Sequence, residues 1–353
     1  MNAIILKTKP YSMFRLGSGS LNEADDIIHS DTLFSAMVSV HSQVFDDTIA
    51  FIDAFDKGEI KISSAFPMLA DAEMENKIFF FPKPELTYSA GDNVKEEKRI
   101  KYISLGSLAH LQNIIKPQSD IKISFTDKNF FTVVGSSFST TKTELESSKI
   151  IPGFISKLVI PKTKVHSTSQ EDSFYHETDI QLIPINIGEE DNSEILNPHF
   201  YFLYEFNCSE EVKNEFYTCL RILADEGIGG ERSTGKGQFE GIVETKVELM
   251  NSTEAQKFLL LSLLNPASQD EFDVLEKYEI LIRGGGSVSI ETEDEDQENK
   301  PDYSDYRKKQ VRMIAEGAVM LKNISGRLVD ISPNKGADHN YYRNGKSFTI
   351  PLG

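Results

Sequence analysis

Hydrophobic and polar positions follow two periods along this chain, and the switches between them mark out its elements. Ala3, Ile4, Ile5 and Leu6 read as an opening strand, followed by a loop through Phe14, Arg15, Leu16 and Gly17 and an acidic stretch over residues 23–26. Leu33, Phe34, Met37, Val38, Val44 and Phe45 then recur at helical spacing, with His41 on the same face and Ser30 or Asp31 placed to cap the helix. A shorter helical pattern at Ile49, Ile52 and Phe55 leads to strand-like residues 60–66 and 78–84. The order is strand, helix, strand, strand.

Residues 85–135 are less regular. They mix a charge cluster at 95–101 with a short helical pattern near 105–115, and read as an insertion. Strand-like runs return at 158–164, 178–185 and 199–206. Ser209 then caps a helix with Glu210 and Glu211 in its first turn and Val212, Phe216, Cys219, Leu220 and Leu223 on its apolar face. That helix ends at Gly227, and a glycine-rich loop runs from there into a strand over 238–249. Residues 257–264, 278–283, 311–321 and 327–331 resume a strand pattern. Between them, 291–306 are acidic with almost nothing apolar, as expected of a solvated loop. The fold class expected is α+β.

Length and composition sharpen this. At 353 residues the chain exceeds the size at which one core stops growing, so two domains are expected, 1–150 and 151–353, the first with an insertion at about 86–134. Apolar residues make up 39%, with 23 Phe and 12 Tyr, enough to pack cores. No apolar run reaches membrane-spanning length and the first residues do not form a signal-peptide core, so a cytoplasmic location without membrane contact is expected. Cys208 and Cys219 lack the partners of a zinc site and read as buried thiols. No metal or other cofactor is expected.

The formal charge of -18 excludes a protein that coats nucleic acid non-specifically, because backbone binding needs a positive surface to release counterions. Any such contact must be local. The loop 227–237 holds five glycines, Gly227, Gly229, Gly230, Gly235 and Gly237, threaded with Arg232, Ser233, Thr234 and Lys236. Glycine lets successive backbone N–H groups turn toward one anion, while Arg, Lys and the hydroxyls add donors. The loop follows a helix instead of opening one, which disfavours a nucleotide P-loop. A long turn whose glycines serve only the backbone is the alternative, and residue types alone leave the two near parity.

At the first helix, His29, Ser30, Asp31 and Thr32 stand where an anion can sit, although capping explains Ser30 and Asp31 without a ligand. Bases accompany aromatics at Lys98, Arg99, Lys101 and Tyr102, at Lys157, Lys162, Lys164 and His166, and at Tyr341, Tyr342, Arg343 and Lys346. Each group alone is an ordinary solvated face; together they offer phosphate contacts and rings for stacking. No HExxH, GxSxG, paired-aspartate or Cys–His arrangement occurs. A metal-independent ribonuclease with His29 as general base remains the enzymatic alternative.

Four segments resemble the RAMP superfamily, and within it the fourth subunits of Csm-type (type III-A) CRISPR effector complexes. They are His29-Ser30-Asp31-Thr32-Leu33-Phe34-Ser35-Ala36; Ser64-Ala65-Phe66-Pro67 with Phe80-Phe81-Pro82-Lys83-Pro84; the loop 227–237 continuing into Gln238-Phe239; and Tyr342-Arg343-Asn344-Gly345-Lys346-Ser347-Phe348. The resemblance spans the chain. It implies two RRM-like (ferredoxin-like) domains, the 86–134 insertion serving as a thumb-like hairpin, and no catalysis by this chain. It also implies binding of the 5′ repeat-derived tag of the crRNA and contacts with the large Cas10-type subunit and a neighbouring backbone RAMP subunit. Carried over, the glycines with Arg232, Ser233, Thr234 and Lys236 would cradle the tag, with His29, Ser30, Lys98, Arg99, Lys101, Arg343 and Lys346 as further RNA contacts. Two departures stand out: where the family often has an arginine-rich stretch this chain has Ile160-Pro161-Lys162-Thr163-Lys164-Val165-His166, and the resemblance assigns no role to the acidic loop 291–306.

The expected function is a non-catalytic crRNA-binding subunit of an RNA-guided antiviral ribonucleoprotein. A crRNA-processing endoribonuclease and a purely structural adaptor are the rivals. From its net charge, the isolated chain is expected to bind arbitrary single-stranded RNA weakly at physiological salt; tight binding in a filter-binding titration would overturn that.

Overall fold

The structure is a computed structural model that describes residues 1–17, 22–88, 94–115, 123–145, 147, 150–164, 173–187, 194–249, 255–284 and 303–353. The chain opens with β1 (Asn2–Lys7) and β2 (Met13–Phe14), then α1 (Ser30–Val44) and α2 (Thr48–Asp56), then β3 (Ile60–Ile62), β4 (Phe66–Ala70) and β5 (Lys77–Pro82). Next come α3 (Val94–Arg99), β6 (Tyr102–Ser104), α4 (Leu105–Ile114), β7 (Phe131–Val134) and β8 (Phe138–Thr141). A long antiparallel ribbon of β9 (Ile155–Lys164) and β10 (Ser173–Leu182) precedes β11 (Ile185–Ile187), β12 (Glu194–Phe206), α5 (Glu210–Glu226) and β13 (Gly241–Lys246). The C-terminal part holds β14 (Phe258–Leu260), α6 (Gln269–Asp273), β15 (Leu275–Lys277), β16 (Ile280–Arg283), β17 (Val311–Ile314), β18 (Val319–Met320), β19 (Gly326–Asp330), β20 (Tyr342–Lys346) and β21 (Thr349–Pro351). This is the expected α+β class, rich in strands.

The main sheet has ten strands in the order β13-β1-β12-β4-β5-β6-β8-β7, with β3 and β11 also paired to β12. Its centre is apolar on both faces. Along β1, Ile4 and Leu6 face one cluster and Ala3 and Ile5 the other, and β12 splits likewise into Phe200, Phe202 and Tyr204 against Tyr201 and Leu203. That explains why 199–206 reads as a near-continuous apolar run: with a layer on each face, neither side-chain set needs to be polar. Each such large side chain contributes about 1.5–3 kcal/mol on burial.

One layer is helical. Leu33, Phe34, Met37 and Val40 of α1, Phe51 and Phe55 of α2, and Phe216, Cys219, Leu220 and Leu223 of α5 cover the first face. Val40 takes the buried position on α1, while Val38 only packs against the cluster and Val44, in the last turn, is exposed. The opposite face is covered by the chain's C-terminal strands through Leu259, Leu261, Val319, Phe348 and Ile350. Both cysteines are free; Cys219 is buried and Cys208 only half-buried.

Three expectations meet a different arrangement. β1 pairs with β12 and β13, so one sheet crosses the expected boundary at residue 150, because strand pairing joins the first residues to residues about two hundred positions later. The insertion does not stand out as a hairpin: Tyr102, Ile103, Leu108, Leu111, Phe125 and Phe131 belong to the main core, and β6, β7 and β8 extend the main sheet. The elongated element is the β9–β10 ribbon, where Val159 and Phe174 are exposed. Beyond β13 the described residues form small sheets, with the five-residue α6 their single α-helix, so the expected second RRM-like order of strands and helices is not found among them. No helix among the described residues is long and apolar enough to cross a membrane.

Candidate nucleic-acid interface

The glycine-rich loop is built by close backbone contact. α5 ends at Gly227, whose φ of 84° lies in the left-handed region, and the chain doubles back so that Ile228 N–H donates to Gly237 O at 3.0 Å. A Cβ on Gly237 would lie 2.2 Å from Ile228 O, and one on Gly229 would lie 2.5 Å from Arg15 O. Gly230 N–H donates to Arg15 O (2.9 Å) and Gly237 N–H to Met13 O (2.8 Å), which ties the loop to the segment after β1. Much of the glycine content is therefore explained by packing, since only glycine permits these approaches. Gly235 differs: it has nothing within 4 Å of a Cβ position and lies at the exposed tip after the turn Arg232–Thr234.

The start of α1 departs from simple capping. His29 is the N-cap residue and caps with no side-chain hydrogen bond, while Ser30 and Asp31 lie inside the first turn, fully buried. Ser30 Oγ accepts from Leu263 N–H (3.0 Å) and its own N–H donates to Ser64 Oγ (2.8 Å). Asp31 receives Arg283 through Nε and Nη2, both at 3.0 Å, and Arg343 through Nη1. Burial alone would raise the Asp31 carboxyl, but the two guanidinium groups overrule it and hold it below the usual carboxylate range. These side chains join α1 to the C-terminal strands.

His29 stands between two carboxylates, Nδ1 at 2.8 Å from Glu316 Oε1 and Nε2 at 3.4 Å from Asp25 Oδ2. Burial would push its imidazolium down; the charge of Glu316 and the hydrogen bonds to Asp25 and Glu316 more than reverse this and raise it to about 10. A histidine held protonated has no lone pair with which to abstract a proton, which counts against His29 as the general base of the ribonuclease alternative.

The two motifs meet in one cleft. Gly227, Gly229, Gly230 and Arg232 of the loop face His29, Thr32, Ser35 and Ser39 of α1, with Arg15 and Arg283 alongside, around a volume of ≈ 320 Å³. Hydroxyls and guanidinium groups make this wall suited to an anionic backbone. Arg232 is half-exposed and pairs only loosely with Glu226, at 3.5 Å.

Other expected contacts point elsewhere. Lys236 is committed to buried Asp179 (2.6 Å), because burying that carboxylate requires a partner. Thr234 Oγ1 donates to Glu231 O within the turn, and Ser233 is exposed beside it. Lys346 donates to Asp56 O (2.6 Å), and Arg343 serves Asp31 and Gly284 O. Lys98, Arg99 and Lys101 are exposed outside the cleft, with Lys101 Nζ 3.9 Å from Asp26. His166 and residues 291–302 lie outside the described residues. Sequence reasoning missed Asp25, Arg283 and Glu316 as members of this site. Arg283, the lone cation closing the strand Ile280–Arg283, was a faint signal; its partner lies 252 positions away.

Comparison with known proteins agrees with the sequence resemblance. Residues 253–352 match the family model described as CRISPR Csm4 C-terminal domain. The whole chain aligns with 98% of the CRISPR system Cms protein Csm4 of Methanocaldococcus jannaschii at 25% identity. In fold, 99% of the chain superposes on 99% of a chain in the Csm3-Csm4 subcomplex of the type III-A CRISPR-Cas interference complex, with a TM-score of 0.65 and 19% identity. All of it superposes on 98% of a chain in the Csm1-Csm4 cassette in complex with cA4, with a TM-score of 0.55 and 19% identity.

Removing Asp31 strands two buried guanidinium groups. Asp31→Ala is expected to cost about 3–5 kcal/mol, read as a lowered urea midpoint and faster proteolysis of the C-terminal strands; an unchanged midpoint would refute the clamp. His29 gives a pH signature. Its folded value lies above its unfolded one, so its stabilisation is complete below about 6.5 and gone once pH passes about 10. His29→Gln is expected to flatten the stability profile across that interval, and identical slopes for both proteins would refute the assignment.

Proposed function

We propose, from its likeness to the Csm4 proteins of type III CRISPR interference complexes, that the chain holds the 5′ tag of a crRNA in the cleft between the glycine-rich loop and α1. The supporting observation is the convergence of the two motifs: Gly229, Gly230 and Arg232 lie opposite Thr32 and Ser35 across a small donor-lined volume. Hydroxyls hold phosphate without adding net charge, which suits an acidic chain. The partners proposed are the large Cas10-type subunit and a neighbouring backbone RAMP subunit, in keeping with the pairing of Csm4 with Csm1 and Csm3 in the solved relatives. The role is positional rather than catalytic.

The fold reading that accompanies this is one RRM-like (ferredoxin-like) unit made of β1, α1, β3 with β4, β12, α5 and β13. In space these strands lie in the order fourth, first, third, second, with both helices on one face. Residues between β4 and β12 are then an insertion within that unit, which ends near residue 247. The β9–β10 ribbon, whose β10 strand pairs with β2 beside the glycine loop, takes the part of the thumb in place of 86–134.

Arg232→Ala combined with Ser35→Ala tests the reading in the complex reconstituted with guide RNA. Loss of one charge-assisted contact costs about 1.5–3 kcal/mol, so guide retention is expected to fall about tenfold or more with partner binding intact. Lost partner binding with retained RNA would instead support the adaptor. Metal-free cleavage of repeat RNA abolished by His29→Ala would establish the nuclease.

A further inference from the structure

The cleft does not close at the end of the glycine loop. Gly17, Thr32, Ser35, Ser39 and Arg283 also line a second, larger hollow that continues along α1, with a volume of ≈ 1650 Å³. Small-molecule pockets span about 300–1,000 Å³, so this hollow suits a stretch of polymer better than one metabolite. Its floor carries the hydroxyl row Thr32, Ser35, Ser39 and Ser42, spaced so that they share one helical face, with Ile49 and Ile52 of α2 beyond.

The opposite wall carries aromatic and cationic side chains with one acid, Asp338, whose Oδ1 lies 2.6 Å from His339 Nδ1. The rings of His339 and Tyr341 lie 4.3 Å apart, and His339 is 62% exposed, so its outer face is open. On Tyr341, Lys308 Nζ sits 3.8 Å from the ring centroid. Other well-covered cations of this acidic chain, Lys83, Lys236, Arg283 and Arg343, each pair with a carboxylate. Lys308 has no carboxylate within ion-pairing distance among the described residues, and burial together with the nearby charge of Arg343 lowers its pKa. A cation with no carboxylate partner among the described residues, on a tilted pair of rings whose outer member is open, suits an anion attached to a planar group. Arg283, 3% exposed where the two hollows join, carries a further N–H group, Nη1, without a hydrogen-bond acceptor among the described residues; Asp25 is 3.8 Å away.

We propose that this hollow takes an unpaired nucleotide of the bound RNA, its base stacked on the His339–Tyr341 pair and its phosphate against Lys308. The proposal rests on the RNA reading above and extends it: the loop cleft holds backbone, and the C-terminal wall holds a base. Stacking on a ring accepts any base, so the hollow fixes the position of the strand more than its sequence. An acidic peptide is the competing occupant; it would use Lys308 but gain little from the ring stack.

The test uses the reconstituted complex loaded with guide RNAs that carry 2-aminopurine in place of each tag base in turn. One position is expected to be quenched by stacking. His339→Ala, an exposed site where the fold is not at risk, is expected to relieve that quench and weaken RNA binding about fivefold or more. Lys308→Gln is expected to lower the slope of log affinity against log salt by about one. If no base is quenched, or both variants stay within about twofold of wild type while the Arg232 variant loses RNA, the proposal fails and the cleft reading stands. If wild type holds no guide through this chain, both fall. Competition by polyglutamate, with no base quenched, would transfer the hollow to a peptide.

Discussion

Asp31, fully buried in the first turn of α1, is held by two arginines from distant parts of the C-terminal half, and the site depends on that contact. The desolvation of three charges offsets much of their attraction, so the triad adds little net stability over a well-packed apolar substitute. What it adds is a penalty on every other docking. A C-terminal half that slipped along α1 would leave a carboxylate or a guanidinium group buried without a partner. The backbone contacts beside it, Leu263 N–H to Ser30 Oγ and Ser64 N–H to Leu261 O, hold the same register.

That docking creates the hollows. In the larger hollow the wall opposite α1 and α2 is made mostly of residues after 280, Arg343 among them, and Arg283 lines both the cleft and the hollow. The glycine loop supplies the remaining edge, locked to the segment after β1 by amides that donate to Met13 O and Arg15 O. Three parts of the chain thus enclose one continuous space. Because most cations near it are already matched to carboxylates, attraction for an anionic polymer must come from hydroxyls and from the few charges, such as Lys308, with no carboxylate partner among the described residues. This reconciles a chain of net charge -18 with a local nucleic-acid site.

The sheet explains how so long a chain keeps these parts in register. β1 lies between β12 and β13, so the N-terminal residues are buried before and behind by later sequence. The segment between β5 and β8 only lengthens that sheet, and the β9–β10 ribbon reaches back to pair with β2 close to the glycine loop. Insertions of this kind cost little stability when their ends are neighbouring positions of a sheet.

Periodicity in the sequence determined the local elements well. The first strand, α1, α2 and α5 with its Ser209 cap and Gly227 stop follow from apolar spacing and turn chemistry, which are short-range properties of the chain. The same patterns marked the glycine loop and the His29 segment as the places to look, and the resemblance they carry proved to be to the Csm4 proteins. Pairing over long separations was not legible. The sheet that crosses residue 150, the merging of 86–134 into the main core and the intramolecular partners of Ser30, Lys236 and Arg343 are each set by residues far away in the chain. Lys236 reads as a free phosphate ligand until Asp179 is seen beneath it, and Ser30 as a cap until Leu263 N–H arrives from the C-terminal half. Sequence reports what a residue can donate or accept; only the tertiary structure decides which partner burial has already assigned to it.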